Sequence, residues 1–323
     1  MLGRSSQPEG PHFAVAWMKR LGVPVRGKSY AQIREQARRL SACTMYLGFA
    51  TEDGAEATTK TPIANTILLA PSRAYQGVLQ GSLWEERVEL SHPFYELLQR
   101  HPVPVYEPAR LRDFAKDVTG AGFDFFILAS YGRILPKELL AVPRRGTLNV
   151  HPSLLPKYRG ATPMQAALRN GDSETGVSIV LMDEGLDTGD IVLMRRVAIA
   201  PEETYGELHD RLAVMGAELL AEALDLAACG ELPRRPQSGD AILTRPLAKD
   251  DYAIDLTWPA DRIVNLVRSL SPKPAARANI GGENVKIVAA HVGERGELVI
   301  DRVIAPNRGE MSGSEYLRSR RPA

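Results

Sequence analysis

From about residue 93 onward, apolar runs of strand length alternate with stretches of helical period. Residues 123–129 (FDFFILA) are apolar at nearly every position, the pattern of a strand covered on both faces of a parallel sheet. Residues 146–150 (GTLNV), 177–182 (VSIVLM) and 191–197 repeat the strand character, and 104–106 is a shorter strand after a helical stretch at 94–100. Between them, Leu135-Pro136 opens a helix with proline at an early position, and Thr162-Pro163 caps and opens another over 164–169. Thr204 and Glu207 have the spacing of a capping box. They lead a helix in which Leu208, Leu212, Met215, Leu219 and Leu226 recur at helical spacing. Strands alternating with helices predict an α/β sheet of the doubly wound kind, whose ligands collect at strand ends.

Beyond this block, 230–238 (GELPRRPQS) reads as a proline-rich polar connector. A helix over 260–270 and short strands at 285–290, 297–300 and 302–305 then predict a small β-rich domain. The first ninety residues fit the alternation poorly. Helices at 14–21 and 30–39 and strands at 44–49 and 65–70 flank a Gly-, Thr- and charge-rich stretch, 51–62, that makes a poor helix. The predicted organisation is an atypical segment over 1–40, an α/β domain over 41–230 with an atypical first βαβ unit, a linker over 231–239 and the β-rich domain over 240–323.

A length of 323 residues accommodates two such domains with ordinary cores. The net charge of +1 gives no bulk case for nucleic-acid binding, although 241–323 carry 13 Lys and Arg against 10 Asp and Glu. Cys43 and Cys229 fit no zinc or redox spacing and read as reduced thiols; no metal is expected. No stretch reaches the roughly 18 apolar residues of a membrane span, and the first ten residues lack the apolar core of a secretory signal. A cytoplasmic monomer is therefore expected, with an organellar address left open.

Chemistry concentrates in two segments, 149–160 (NVHPSLLPKYRG) and 186–190 (LDTGD). They offer the carboxamide of Asn149, the imidazole of His151 and the carboxylate of Asp187, with no serine or cysteine nucleophile apparent beside them. That set suits a reaction whose substrate brings its own nucleophile while the protein handles protons and a developing oxyanion. Each residue alone has a structural reading. A histidine at a strand end is commonly a satisfied structural group, Asn149 suits a turn, and Asp187 and Asp190 flank Thr-Gly as turn residues do. Together they read differently. Residues i and i+2 of a strand share a face, so Asn149 and His151 point into one cleft, and Asp187 follows the next strand of the sheet.

These two segments resemble the paired motifs of the folate-dependent formyltransferases. The string 159–165 (RGATPMQ) is most similar to the branch acting on methionyl-tRNA. So are 129–136 (ASYGRILP), 247–255, 270–275 (LSPKPA) and 311–318 (MSGSEYLR); the resemblance covers 93–323. It implies a Rossmann-like parallel sheet of formyltransferase type joined to a β-rich, OB-like barrel domain. It also implies 10-formyltetrahydrofolate as co-substrate and initiator methionyl-tRNA as partner. Asn149, His151 and Asp187 are then catalytic. Asn149 donates to the oxyanion, His151 handles protons at the oxyanion or the leaving nitrogen, and Asp187 supports the imidazolium and receives the proton lost by the amine. Ser153, Leu154, Leu155 and Pro156 form the loop that contacts the flat apolar folate. Lys157, Tyr158 and Arg159 read as surface residues near the acceptor, without individual roles.

The sequence departs from the family at its start. The opening strand into Gly-Thr-Pro has no good counterpart at 10–15 or 47–49, and the basic loop after the second strand is replaced by 72–80 (SRAYQGVLQ), with one basic residue. Two alternatives follow: a formyltransferase acting on another amine, such as a sugar nucleotide, or a catalytically impaired folate- or RNA-binding homologue.

Overall fold

The computed structural model describes residues 45–50, 66–69, 105–106, 110–120, 123–129, 131 and 134–319. The helices expected at 14–21, 30–39 and 94–100, the segment 51–62 and the loop 72–80 lie outside the described residues.

One seven-stranded sheet carries the first part of the chain. It contains β1 (Met45–Ala50), β2 (Thr66–Leu69), β3 (Val105–Tyr106), β4 (Phe123–Ala129) and β5 (Thr147–His151). After a short β6 (Arg159–Gly160), which belongs elsewhere, β7 (Glu174–Leu181) and β8 (Asp190–Ala198) complete it in the order β3-β2-β1-β4-β5-β7-β8. The expected parallel pairing holds for β4 with β5, where Leu128 faces Asn149, and for β2 with β3. β1 runs antiparallel to β2 and β4, and β5 runs antiparallel to β7, so the sheet is mixed. A hydrophobic pattern reports burial and is silent on strand direction, which the connections set.

Helix α1 (Leu111–Val118) and the single-turn α2 (Lys137–Leu140) close one side of β4. Phe114, Phe126, Leu128, Leu135 and Leu139 share a buried cluster there, each side chain contributing about 1.5–3 kcal/mol by leaving water. After α3 (Pro163–Arg169), the long helix α4 (Tyr205–Ala228) begins on the capping box read from the sequence: the Glu207 carboxylate accepts from Thr204 N at 2.9 Å and Thr204 Oγ1 at 2.8 Å. Those bonds hold the Glu207 carboxyl below its ordinary value. Gly216 of α4 permits a close approach, since a Cβ there would lie 2.7 Å from Val150 Cγ1 and 3.3 Å from Val177 Cγ1. The helix thus abuts the strand that carries Asn149 and His151.

By proximity the chain divides into two units that cross its linear order. One holds the described residues up to 156 with 177–195 and 212–239; the other holds 157–176, 196–211 and the described residues from 240 on. In the second unit, β6 pairs with β9 (Leu243–Thr244), and α5 (Ala260–Leu270) packs on a four-stranded antiparallel meander. The meander runs β10 (Ala276–Ile280), β11 (Glu283–Val292), β12 (Leu298–Ile304) and β13 (Glu310–Ser312), followed by α6 (Gly313–Arg318). The strands expected at 297–300 and 302–305 are one continuous β12. Asp301 sits within the strand with its carboxylate 2.9 Å from His291 Nδ1 on β11. Asp251 anchors the start of this region: Arg245 binds it through two nitrogens at 2.6 and 2.9 Å and holds its carboxyl below the ordinary aspartate value.

Candidate active site

β5 presents Asn149 and His151 on one face, as the two-residue strand period requires. His151 is 4% exposed and the Asp187 side chain 12% exposed. Asn149 Nδ2 donates to Asp187 Oδ1 at 3.2 Å, while Asp187 Oδ2 lies 3.5 Å from His151 Nδ1. One carboxylate therefore addresses both neighbours, a different oxygen to each. Asn149 uses one of its two amide hydrogens on Asp187; the second is the donor available to a substrate oxygen. With Nδ1 turned toward the carboxylate, Nε2 is the ring nitrogen that does not face Asp187. The three residues named from the sequence are thus brought together.

The route by which Asp187 arrives differs from the simple expectation of neighbouring strand ends. β7 is antiparallel to β5, with Leu181 opposite Leu148 and Met182 N donating to Thr147 O at 2.8 Å. The chain leaves β7 beside the beginning of β5, so the loop 182–189 doubles back to place Asp187 against Asn149 and His151. That loop is built from specific contacts. Asp183 Oδ1 accepts from Gly185 N at 3.0 Å and Thr188 Oγ1 at 2.6 Å. Asp187 itself has φ +52, a left-handed backbone that Asp adopts more readily than most residues. Gly189 is obligatory for a different reason: a Cβ there would meet Leu181 O at 2.0 Å.

The connector expected over 231–239 is anchored to this same loop and strand. Arg235 and Ile191 exchange backbone hydrogen bonds of 2.8 and 3.0 Å. Two residues on, Gln237 Nε2 donates to Asp187 O and to Gly189 O, both at 2.8 Å. Neither Asp183 nor Gln237 was legible as a site residue, because a polar residue in a polar loop carries no periodic signal.

The loop after His151 is held from beneath. Ser153 is fully buried and Leu155 is 4% exposed. Ser178, opposite His151 in the register, donates to Ser153 O at 2.7 Å and accepts from Leu155 N at 3.3 Å. These bonds hold the backbone of the loop; the side chains of Ser153 and Leu155 are buried, whereas Leu154 and Pro156 are half-buried and offer apolar surface. Tyr158 corrects the surface reading: it is 3% exposed, with its hydroxyl donating to Asp172 Oδ2 at 2.8 Å and accepting from Asn170 Nδ2 at 3.0 Å. Burial, offset in part by the Asn170 bond and reinforced by Asp172, raises its pKa from 10.0 to about 12. Among the described residues, no cluster of three or more His, Cys, Asp or Glu side chains could hold a metal ion, and no helix is long and apolar enough to cross a membrane.

Known proteins share this organisation. The family described as formyl transferase matches residues 81–224, and the formyl transferase C-terminal domain matches 246–300. A methionyl-tRNA formyltransferase of Myxococcus xanthus is 43% identical over 198 residues, which are 60% of this chain and 64% of that protein. One from Syntrophus aciditrophicus is 39% identical over 244 residues, 68% of this chain and 78% of that protein. The chain thus spans less than two thirds of the Myxococcus relative. Among solved structures, the methionyl-tRNA formyltransferase of Clostridium thermocellum aligns over 76% of this chain and 98% of its own, with a TM-score of 0.50 at 16% identity. HypX of Aquifex aeolicus, in complex with tetrahydrofolic acid, aligns over 69% of this chain and 43% of its own, with a TM-score of 0.52 at 19% identity. At such identities the likeness is one of fold.

Proposed function

The chain belongs to the formyltransferase family, and from that premise we propose that it transfers a formyl group from 10-formyltetrahydrofolate to the amino group of methionine esterified to initiator tRNA. The observation that carries the proposal is the convergence of Asn149 and His151 on the Asp187 carboxylate, in a chain matching both the formyl transferase family and its C-terminal domain. The names of the similar curated proteins support the choice of acceptor. The folate-bound HypX structure supports the choice of donor class.

Bound 10-formyltetrahydrofolate supplies the formyl carbon, to which the amine forms a new C–N bond while the bond to N10 breaks. Asn149 donates its second amide hydrogen to the oxygen that becomes negative in between, a contribution worth about 3–4 kcal/mol of barrier. His151 delivers a proton from Nε2 toward the leaving nitrogen, and Asp187 stabilises the charge on the ring through Nδ1. The carboxylate also accepts, directly or through water, the proton released by the attacking amine. Leu154 and Pro156 offer half-buried apolar surface in the loop after His151 that suits a flat donor ring.

The test is direct. Purified protein incubated with 10-formyltetrahydrofolate and methionyl initiator tRNA should yield formylmethionyl-tRNA. Formylation of a sugar-nucleotide amine with none of the tRNA would replace the acceptor, and folate binding without turnover on any amine would overturn the enzyme reading.

A further inference from the structure

We propose that Gln237 is a positioning residue that sets the place of the Asp187 carboxylate, so that the connector after α4 is part of the machinery rather than a passive tether. The inference rests on the formyl-transfer reading for its kinetic consequence, although not for its structural one.

The argument starts from the loop's path. Because β7 is antiparallel to β5, strand geometry alone does not bring Asp187 to Asn149 and His151, and the doubling-back of 182–189 must be enforced by contacts. Asp183 organises the first half of the loop through Gly185 N and Thr188 Oγ1. Gln237 acts on the second half, at the carbonyl of Asp187 itself and at that of Gly189. A primary amide nitrogen carries two hydrogens, and this geometry uses both, one per carbonyl. The left-handed backbone of Asp187, φ +52, is disfavoured for a residue with a Cβ and persists where neighbours over-determine it. A double donor gripping the carbonyls on either side of Thr188 is such a determinant.

The donor is itself delivered with little freedom. The Arg235–Ile191 backbone pair fixes the connector to the first residues of β8, two residues before Gln237. Displacing Asp187 would loosen its carboxylate's contacts to Asn149 at 3.2 Å and His151 at 3.5 Å, and misplacement of about 1 Å at such a centre costs up to a hundredfold in rate. Donor binding, which does not use the Asp187 carboxylate in this scheme, would be left nearly unchanged.

The experiment compares Gln237→Glu and Gln237→Met with the parent and with Ser238→Ala, an exposed neighbour. Glu keeps the shape but, ionised, donates nothing; Met keeps the length and carries no charge. Expected for both Gln237 variants is a drop in kcat of about ten- to a hundredfold, with KM for 10-formyltetrahydrofolate within about twofold. Amide hydrogen exchange should rise across residues 183–190 while β4 and α5 stay at parental protection. Ser238→Ala should match the parent in both readouts. Parental kcat and parental exchange in the two Gln237 variants would overturn the proposal, as would lost activity with exchange raised throughout the protein. If the parent formylates no amine, the functional reading fails on its own. The exchange result then decides the positioning role: local loosening at 183–190 supports it, and unchanged protection removes it.

Discussion

Asn149 and Asp187, 38 residues apart, are joined by a 3.2 Å hydrogen bond that uses one of the two hydrogens of the Asn149 amide. The same carboxylate turns its second oxygen to His151 Nδ1, so the carboxamide and the imidazole are both referenced to one group. A change at Asp187 is therefore felt twice.

That arrangement predicts how substitutions combine. Asn149→Ala, His151→Ala and Asp187→Ala should each lower kcat far more than they weaken folate binding, with Asn149→Ala costing about a hundred- to a thousandfold. His151→Ala/Asp187→Ala should be little worse than the poorer single variant, because the carboxylate acts partly through the imidazole. His209→Ala, in α4 beside Asp210, should leave kcat near the parental value. Single-turnover rates with saturating donor check all three expectations. Near-parental turnover in His151→Ala would return that histidine to a structural role.

The second prediction concerns Tyr158, whose neutral hydroxyl bridges Asn170 and Asp172. Its pKa is raised to about 12, so the folded state holds the proton more tightly than the unfolded state does. The stabilisation is then complete below pH 10 and is lost as pH rises from 10 toward 12. Tyr158→Phe should lower stability by about 1 kcal/mol at neutral pH, the ordinary net worth of a buried hydrogen bond plus the cost of leaving Asp172 short of a donor. The gap between parent and variant, followed by urea denaturation, should narrow across that alkaline window. A gap that stays constant or widens would show that the hydroxyl is not held neutral by its surroundings.

How much of this was legible depends on what a side-chain pattern encodes. The helix at 260–270 is readable to its ends because its apolar stripe of Ile263, Leu266, Val267 and Leu270 is set off by Asp261, Arg262 and Asn265, and 123–129 because burial on both faces leaves Asp124 as the one polar position in an apolar run. β10 (ARANI) was missed although its burial alternates strictly: the inward residues Ala276 and Ala278 are too small to stand out beside Arg277 and Asn279. α1 is absent from the sequence reading although Leu111, Phe114, Ala115 and Val118 recur at full helical spacing, a stripe only about two turns long. At the site, Asn149 and His151 were visible as a strand pair sharing a face. The antiparallel β7, the return of the Asp187 loop and the grip of Gln237 were not, since direction, loop path and polar anchoring leave no periodicity.

The last prediction isolates the packing that carries Asp187. Gly189 has no positive φ requirement; its constraint is space, because an added Cβ would sit 2.0 Å from Leu181 O, 2.9 Å from Leu181 C and 3.2 Å from Asp183 N. All three are backbone atoms, so no side chain can swing aside, and the clash can be relieved only by parting the end of β7 from the start of β8. That movement carries the Gly189 carbonyl away from Gln237 and shifts Asp187 two residues earlier in the chain. Gly189→Ala should therefore lower stability by about 1–3 kcal/mol, the usual cost of overpacking. It should also reduce kcat by about a hundredfold at temperatures where the variant is fully folded. Gly309→Ala, where an added Cβ meets nothing within 4 Å, is the matched control and should change neither quantity. Thermal melts and initial rates on the two variants decide the matter. If Gly189→Ala melts and turns over like the parent, the loop tolerates displacement, and the tight geometry around Asp187 is not what the reaction depends on.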